Sequence, residues 1–471
     1  MMKKIILSAA IAFAMTSCGI YTSYQPAEEV PEDLYGPEDV VSVEDTTSLG
    51  FMDWHDLFTD PYLQALIEQG LQTNTDYQIA MLSVEQAEAT LLSSKLAYVP
   101  SFFFSPTGTL SSFDGAKASK TYEVPITASW ELDLFGNLRN AKRQSNALYE
   151  QSKDYQQAVR TQLIASIANT YYTLLMLDDQ LDLTQQTADA WKETVRSVRA
   201  LMKAGQYDQA GVAQMEATYY SVLTSVTDLE EQINQTENAL ALLLAETPRH
   251  YERGKLAGQQ FPTELAVGIP VHLLSCRPDV RSAERALEAA FYGTNAARSA
   301  FYPSITLSGS AGWTNSTGVS IVNPGKFLWS AIGSLTQPLF NRGQLLAQLK
   351  ISKAEQESAA LTFQQTLLEA GSEVNDCLTA WQNSRTKSDL YAKQVASLEV
   401  ALRSTSLLME HGTTNYLEVL TARQSLLSAQ LTQTANTFTE IQSVINLYQA
   451  LGGGQEEEQQ EEQVEEQQGQ E

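Results

Sequence analysis

The sequence predicts a mainly α-helical fold that carries a membrane β-barrel segment, built from two copies of one unit: helix, β-hairpin, long helix, return helix. Three observations predict it. Between Tyr122 and Phe135, Tyr122, Val124, Ile126, Ala128, Trp130, Leu132 and Leu134 alternate with Glu123, Pro125, Thr127, Ser129, Glu131 and Asp133. This is the period of two of a strand, and the run exceeds the ~9–11 residues a tilted strand needs to cross a bilayer. From Asn137 to Met202 there is then neither proline nor glycine, enough for a helical rod on the order of 100 Å at ~1.5 Å per residue. Finally, the features recur: Pro100-Ser101 matches Pro303-Ser304, Leu134-Phe135 matches Leu339-Phe340, and Met202 with Gly205 matches Met409 with Gly412. The order of features is kept across an offset of about 205 residues, the signature of an internal duplication.

Composition narrows the classes. The chain has 471 residues, a formal net charge of −26 and only 18% charged residues, so its polar surface is largely Gln, Ser, Thr and Asn. An acidic total excludes nucleic acid as the partner, whose phosphates demand Lys and Arg. Residues 455–471 hold eight glutamates among glutamines and read as a disordered acidic tail. No metal-ligand spacing links His55, His250, His272 and His411. With neither a nucleophile motif nor a phosphate loop, and with Gly452 to Gly454 preceding no helix, the chain reads as no enzyme and as needing no cofactor.

Taken in order, Lys3 and Lys4 followed by an apolar run from Ile5 to Met15 read as a signal peptide over residues 1–17, too short to span a membrane. Cys18, after small residues and before Gly19, resembles the acceptor of a bacterial lipoprotein signal; an ordinary cleaved signal is the alternative. The absence of an acidic residue directly after Cys18 directs such a lipoprotein, by resemblance, to the outer membrane. Residues 18–52 form an arm. The first repeat covers 53–246, beginning with a helix that Asp60-Pro61 starts and Pro100 stops at about Leu96. Strands follow at about 101–113 and 121–135, then the long helix, then a return helix from Gln209 to Glu246. In the distal long helix, Leu181, Ala188, Trp191, Val195, Val198 and Met202 form a heptad seam. An irregular linker spans 247–276. The second repeat, 277–454, has strands at about 304–314 and 327–340, a long helix from Gln344 to Glu410 with Tyr391, Val395, Leu398, Leu402, Thr405 and Met409 in heptad register, and a return helix from Tyr416 to Leu451. Cys276 and Cys377 are too few for a disulfide framework and read as buried.

Two hairpins give four strands, and a bilayer tolerates no open sheet edge. One chain cannot close a barrel; three identical copies give 12 strands and a water-filled lumen, lined by Glu123, Glu131 and Asp133. Trp130, Trp313, Tyr122 and Phe327 are either interfacial girdle residues or packed side chains.

The order of elements resembles the TolC-like outer membrane factor family, and especially its lipidated branch paired with RND-type efflux pumps. The resemblance lies in Trp54 to Asp76, Leu273 to Trp313 around Arg277-Pro278-Asp279-Val280, Asn415 to Leu420, and Asn446 to Gly454. It implies a homotrimer in the outer membrane, a barrel continued by an α-helical tunnel, a covalent lipid on Cys18, and docking to a periplasmic adaptor and an inner-membrane pump. The function implied is passive export, as the exit duct of a tripartite efflux system; a type I secretion duct is the alternative, and a coiled-coil scaffold lipoprotein without a pore is the rival of another class. The resemblance also implies a periplasmic gate near the helix turns. Glu418 matches an often acidic position, Thr421 stands where Asp is common, and Met409 ends the seam; a solvated face is the other reading of Glu418. The turns at Gly205, Gln206, Gly412 and Thr413 are where an adaptor would meet the tunnel, beyond the positive φ that a helix end asks of Gly205 and Gly412. Cys276 departs from the family, which commonly has Arg there.

Overall fold

The protein was analysed as a computed structural model, which describes residues 23–26, 34, 49–259, 261, 276–315, 325–411 and 416–455. The signal peptide, Cys18, Gly412, Thr413, half of the linker and all of the acidic tail but Gln455 lie outside these residues. The described elements are helices α1 (Trp54–Leu57), α2 (Pro61–Thr73) and α3 (Thr75–Leu96); strands β1 (Ser101–Phe104), β2 (Thr107–Ser111) and β3 (Ser119–Leu132); and helices α4 (Asn137–Lys203) and α5 (Gln209–Leu243). These are followed by α6 (Pro278–Ser299), β4 (Ser304–Thr314), β5 (Lys326–Thr336), α7 (Gln344–Glu410) and α8 (Tyr416–Ala450).

Local chemistry explains the boundaries. Asp60 caps α2 by accepting from the Tyr62 N–H at 3.0 Å, with Pro61 in the first turn where its missing donor costs nothing. The sequence predicts one helix from here to Leu96, but the structure breaks it at Asn74. That residue ends α2 through its own N–H, bonded to the Gly70 carbonyl, and restarts α3 by accepting from the Tyr77 N–H at 2.9 Å. One Asn residue thus serves two helix ends, its backbone closing α2 and its side chain opening α3.

The strand expected over 101–113 is also divided. β1 and β2 pair with β3 in one unbroken register, Phe104 opposite Ile126 and Thr107 opposite Glu123. That register sets Ser105 against Pro125 and Pro106 against Val124, so two prolines deprive the ladder of donors at adjacent rungs. The segment expected over 121–135 runs from Ser119 to Leu132, and the one expected over 327–340 stops at Thr336, before Pro338.

The chain forms two compact units. They are not the two repeats; each draws on both. Among the described residues, one contains 23–26, 82–154 and those of 282–365, the other those of 29–81, 155–281 and 366–455. The first unit is built on one antiparallel sheet of order β1-β3-β4-β5, with β2 on the same edge as β1. β3 and β4 are central, and among the described residues β1/β2 and β5 each have a neighbour on one side alone. Directly opposed residues share a face, and the registers sort the sheet cleanly. One face carries Phe102, Phe104 and Leu110, then Val124, Ile126 and Trp130, then Leu307, Ala311 and Trp313, then Phe327, Trp329 and Leu335. The opposite face of the central strands carries Glu123, Thr127, Ser129 and Glu131 with Thr306, Ser308, Ser310 and Thr314.

In the second unit, the seam of α4 packs against α5. Ala188, Trp191, Val195 and Val198 are buried with Val212, Met215, Val222 and Val226, and Leu181 and Met202 pack against them. The linker is tied down by charge: Arg253 donates to both carboxylate oxygens of Asp178 at 2.5 and 2.8 Å and to Glu237 at 2.6 Å. Hydrogen bonding to Asp178 holds the guanidinium above its ordinary pKa. Tyr448 accepts from the Gly454 N–H, and Thr161, Gln157 and Arg160 bind the carbonyls of Gly453 and Gly454. A Cβ on Gly453 would stand 2.4 Å from the Tyr448 ring, so the glycine there is a matter of space.

Candidate functional site

Two places carry the residues singled out from the sequence: the polar face of the sheet and the tips of the helical hairpins. On the sheet, Glu123 and Glu131 stand on the polar face, paired with Thr314 and Thr306. Asp133 does not belong to that face. It lies past the end of β3 and accepts from the Arg139 N–H at 2.8 Å, in the first turn of α4; a carboxylate there satisfies an orphan donor and suits the positive helix end. Beside it, a cleft of about 300 Å³ is lined by Glu131, Asp133, Phe135, Asn137, Tyr302 and Thr336, among others. Of the aromatics, Trp313 and Phe327 meet edge to face at 5.7 Å on the apolar side, and the Trp130 indole donates to the Tyr98 carbonyl at 3.0 Å. Tyr122 bridges strand ends, its hydroxyl accepting from the Gly325 N–H at 2.8 Å.

At the first tip, Gly205 has φ +72°, and nothing lies within 4 Å of where its Cβ would be. Its requirement is therefore conformational. The Gln206 N–H reaches back to the Leu201 carbonyl at 2.9 Å and Gly205 to Met202 at 3.0 Å, closing the helix as a Schellman turn. Asp208 then caps α5 by accepting from the Gly211 N–H at 2.7 Å.

At the second tip, Glu418 is exposed in the first turn of α8. Thr421 is exposed too, its hydroxyl bonded to the Leu417 carbonyl at 2.9 Å. Between them in sequence, Val419 and Leu420 are buried, and Leu420 joins the apolar cluster of α4 and α5, against which Met409 also packs. Thr421 lines a groove of about 610 Å³ between α7 and α8, with Tyr391, Leu398, Gln424, Ser428 and Thr432.

A residue that the sequence reading passed over joins the two hairpins. Arg423 of α8 places its guanidinium over the Trp191 ring of α4, 5.6 Å from the centroid, and donates to the Thr194 hydroxyl at 3.1 Å. Cation–π contact and hydrogen bond together make a latch. Its signal in the sequence is slight: Arg423 is the one basic residue in the 35 of α8. Further along, Gln180 donates to the Leu431 carbonyl and Thr434 to Asp179. Glu373 pairs with the buried Arg277, which also grips Asp279 and the Ala450 carbonyl; burial disfavours the Arg277 charge, but the two carboxylates outweigh it and raise its pKa. Burial pushes the neighbouring Cys377 thiol up to about 11. Among the described residues, no cluster of His, Cys, Asp or Glu could hold a metal, and no helix is long and apolar enough to cross a membrane.

Comparison with known proteins agrees with this anatomy. The family model described as outer membrane efflux protein matches residues 64–246 and 269–453. The cation efflux system protein CusC of Escherichia coli strain K12 is 28% identical, over 95% of this chain and 99% of its own length. The probable outer membrane lipoprotein SilC of Salmonella typhimurium is also 28% identical, over 96% of this chain and 99% of that one. Among solved structures, the open-state MtrE outer membrane channel of Neisseria gonorrhoeae superposes with a TM-score of 0.83 at 29% identity, covering 92% of this chain and 98% of that chain.

Proposed function

We propose, from the premise that the chain belongs to the outer membrane efflux protein family, that it is the exit duct of a tripartite efflux system. In this reading three copies close a 12-stranded barrel, and their helical hairpins continue the pore as a tunnel. A periplasmic adaptor and an RND-type inner-membrane pump deliver small molecules to it. The observation that carries the proposal is the sheet: one face apolar on every strand apart from Lys120 near the start of β3, the opposite face of its central strands rich in Ser, Thr and Glu, and two edges without a neighbour among the described residues. In hydrocarbon each unpaired backbone group costs several kcal/mol, so such a sheet needs partners at both edges, and identical copies joined head to tail supply them.

The chain itself performs no chemistry in this scheme. Glu123 and Glu131 line the lumen and favour cations; Asp133 supports the strand-to-helix junction instead. Cys18 carries the lipid, a role in keeping with the name of the SilC relative. Glu418 and Thr421 face the closed end, Met409 packs behind them, and the Arg423 latch holds the second hairpin against the first. Gly205, Gln206, Gly412 and Thr413 offer the turns to the adaptor. The test is electrical. Purified protein in a planar bilayer gives discrete conducting steps if it is a duct, whereas a silent bilayer with verified insertion rejects the proposal.

A further inference from the structure

The two repeats meet inside one chain, where the second strand of the first hairpin pairs with the first strand of the second. There Glu131 of β3 stands opposite Thr306 of β4, and Leu132 opposite Ile305. Just past β3, Phe135 stacks on Tyr302, the residue before Pro303, with ring centroids 5.1 Å apart. The equivalent residues at the sheet's two edges lack such cover. Phe340, the repeat of Phe135, is 87% exposed and Leu339 beside it 93%, while Val99, which precedes Pro100 as Tyr302 precedes Pro303, is 56% exposed. The strands bear out the equivalence: β1 and β4 each begin at the Ser of a Pro-Ser pair. The carbonyls of Tyr98 and Phe301, two residues before those prolines, each accept from the returning end of the same hairpin, from Trp130 at 3.0 Å and from Gln337 at 2.9 Å.

We infer that the seam between neighbouring copies repeats this junction: Phe340 of one copy packs on Tyr98 to Pro100 of the next, and the edge strands pair with Thr336 opposite Phe103. This rests on the ring proposed above. The strand order alternates direction, so β5 runs antiparallel to the following β1, as β3 does to β4. The offset of 205 residues between Phe135 and Phe340 carries Glu131 to Thr336, and the offset of 203 between the two Pro-Ser pairs carries Thr306 to Phe103. The pairing supplies the stagger that closing a barrel requires. Inside one copy the rung through Phe103 passes Thr127, Ser310 and Ser330; the seam resumes it at Thr336, six residues further along β5. Over three copies this comes to roughly 18 residues, which at ~3.3 Å per residue and ~4.8 Å between each of 12 strands tilts them by about 45°, as barrels tilt. The faces agree as well. Phe104 meets Leu335 and Leu110 meets Trp329 on the apolar side, and Ser105 meets Ser334 on the polar side, whereas an error of one residue in either offset would set apolar against polar.

Cysteine cross-linking of the full-length protein in detergent tests this. Phe103→Cys is combined in turn with Leu328→Cys, Ser330→Cys, Ile332→Cys, Ser334→Cys and Thr336→Cys, and oxidised samples are run heated without reductant. Glu131→Cys with Thr306→Cys, the equivalent rung inside one copy, is the positive control. The strongest intermolecular cross-link is expected at position 336. An intact trimer whose strongest cross-link lies at any other position, or which forms none while the control pair oxidises, overturns the register but leaves the ring. An unheated wild-type protein that runs as a monomer removes the ring itself. A second readout is the temperature at which unheated trimers dissociate in SDS. Phe340→Ala and Val99→Ala each lower it, the double variant lowers it no further than the worse single, and Phe340→Tyr keeps most of it. Unchanged heat resistance in Phe340→Ala would give that ring to the lipid boundary and overturn the contact.

Discussion

The two helical hairpins descend from one duplicated unit, and their tips differ by what fills the seam. Shifting by 207 residues, the offset of Met202 and Met409, Trp191 corresponds to Leu398, Val198 to Thr405, Met215 to Ala422, Val222 to Ala429 and Val226 to Gln433. Each of these changes removes volume or adds polarity, whereas Ala188 and Val195 correspond to the larger Val395 and Leu402. The result in the first hairpin is a buried apolar cluster with Trp191 almost wholly covered; in the second it is a groove lined by Gln424, Ser428 and Thr432. One hairpin is a packed coiled coil, the other a loose one tied to it by Arg423 and Leu420. Duplication supplied two equal struts, and divergence softened the one that carries the gate candidates Glu418 and Thr421.

The most damaging way to erase this contrast is Trp191→Ala. It removes the largest side chain of the packed seam and the platform beneath Arg423, and a buried Trp lost to Ala costs about 3–5 kcal/mol. Thermal denaturation of the purified protein should show it clearly, whereas the matching change Leu398→Ala should cost well under half as much. Arg423→Ser should be milder for stability, about 1–2 kcal/mol for one cation–π contact and one hydrogen bond, but it should raise open-channel current markedly, because it frees the loose hairpin. Currents and heat resistance both unchanged would show that the contact is incidental.

Filling the groove sharpens the comparison from the other side. Ala429→Val with Gln433→Val restores the residues of the first hairpin, and we expect stability to rise by about 1 kcal/mol on area burial and channel opening to fall. Gly205→Ala should cost about 1 kcal/mol, since its φ is left-handed while space is free. Glu418→Ala should leave stability unchanged and raise leakage currents; identical currents would remove it from the gate.

Much of this anatomy was legible beforehand, because it follows local periodicity. The alternation around Trp130, the unbroken run of α4 and the seam from Leu181 to Met202 each carry their geometry in the spacing of apolar residues. What escaped is non-local or depends on one atom. That Pro106 would face the rung beside Pro125 needed the register, and that Asn74 would cap two helices needed the bend. Asp133 looked like one more alternating acid, but it sits just where the strand ends and its carboxylate serves the helix. Arg423 and Trp191 are 232 positions apart by numbering, and no pattern in either helix announces that they meet.

All of this depends on several chains sharing one pore. The direct measurement is the mass of the unheated, detergent-solubilised protein with bound detergent subtracted. A particle of three chain masses that collapses to one on boiling is the expected result; a stable single chain that nonetheless conducts in bilayers would contradict the account.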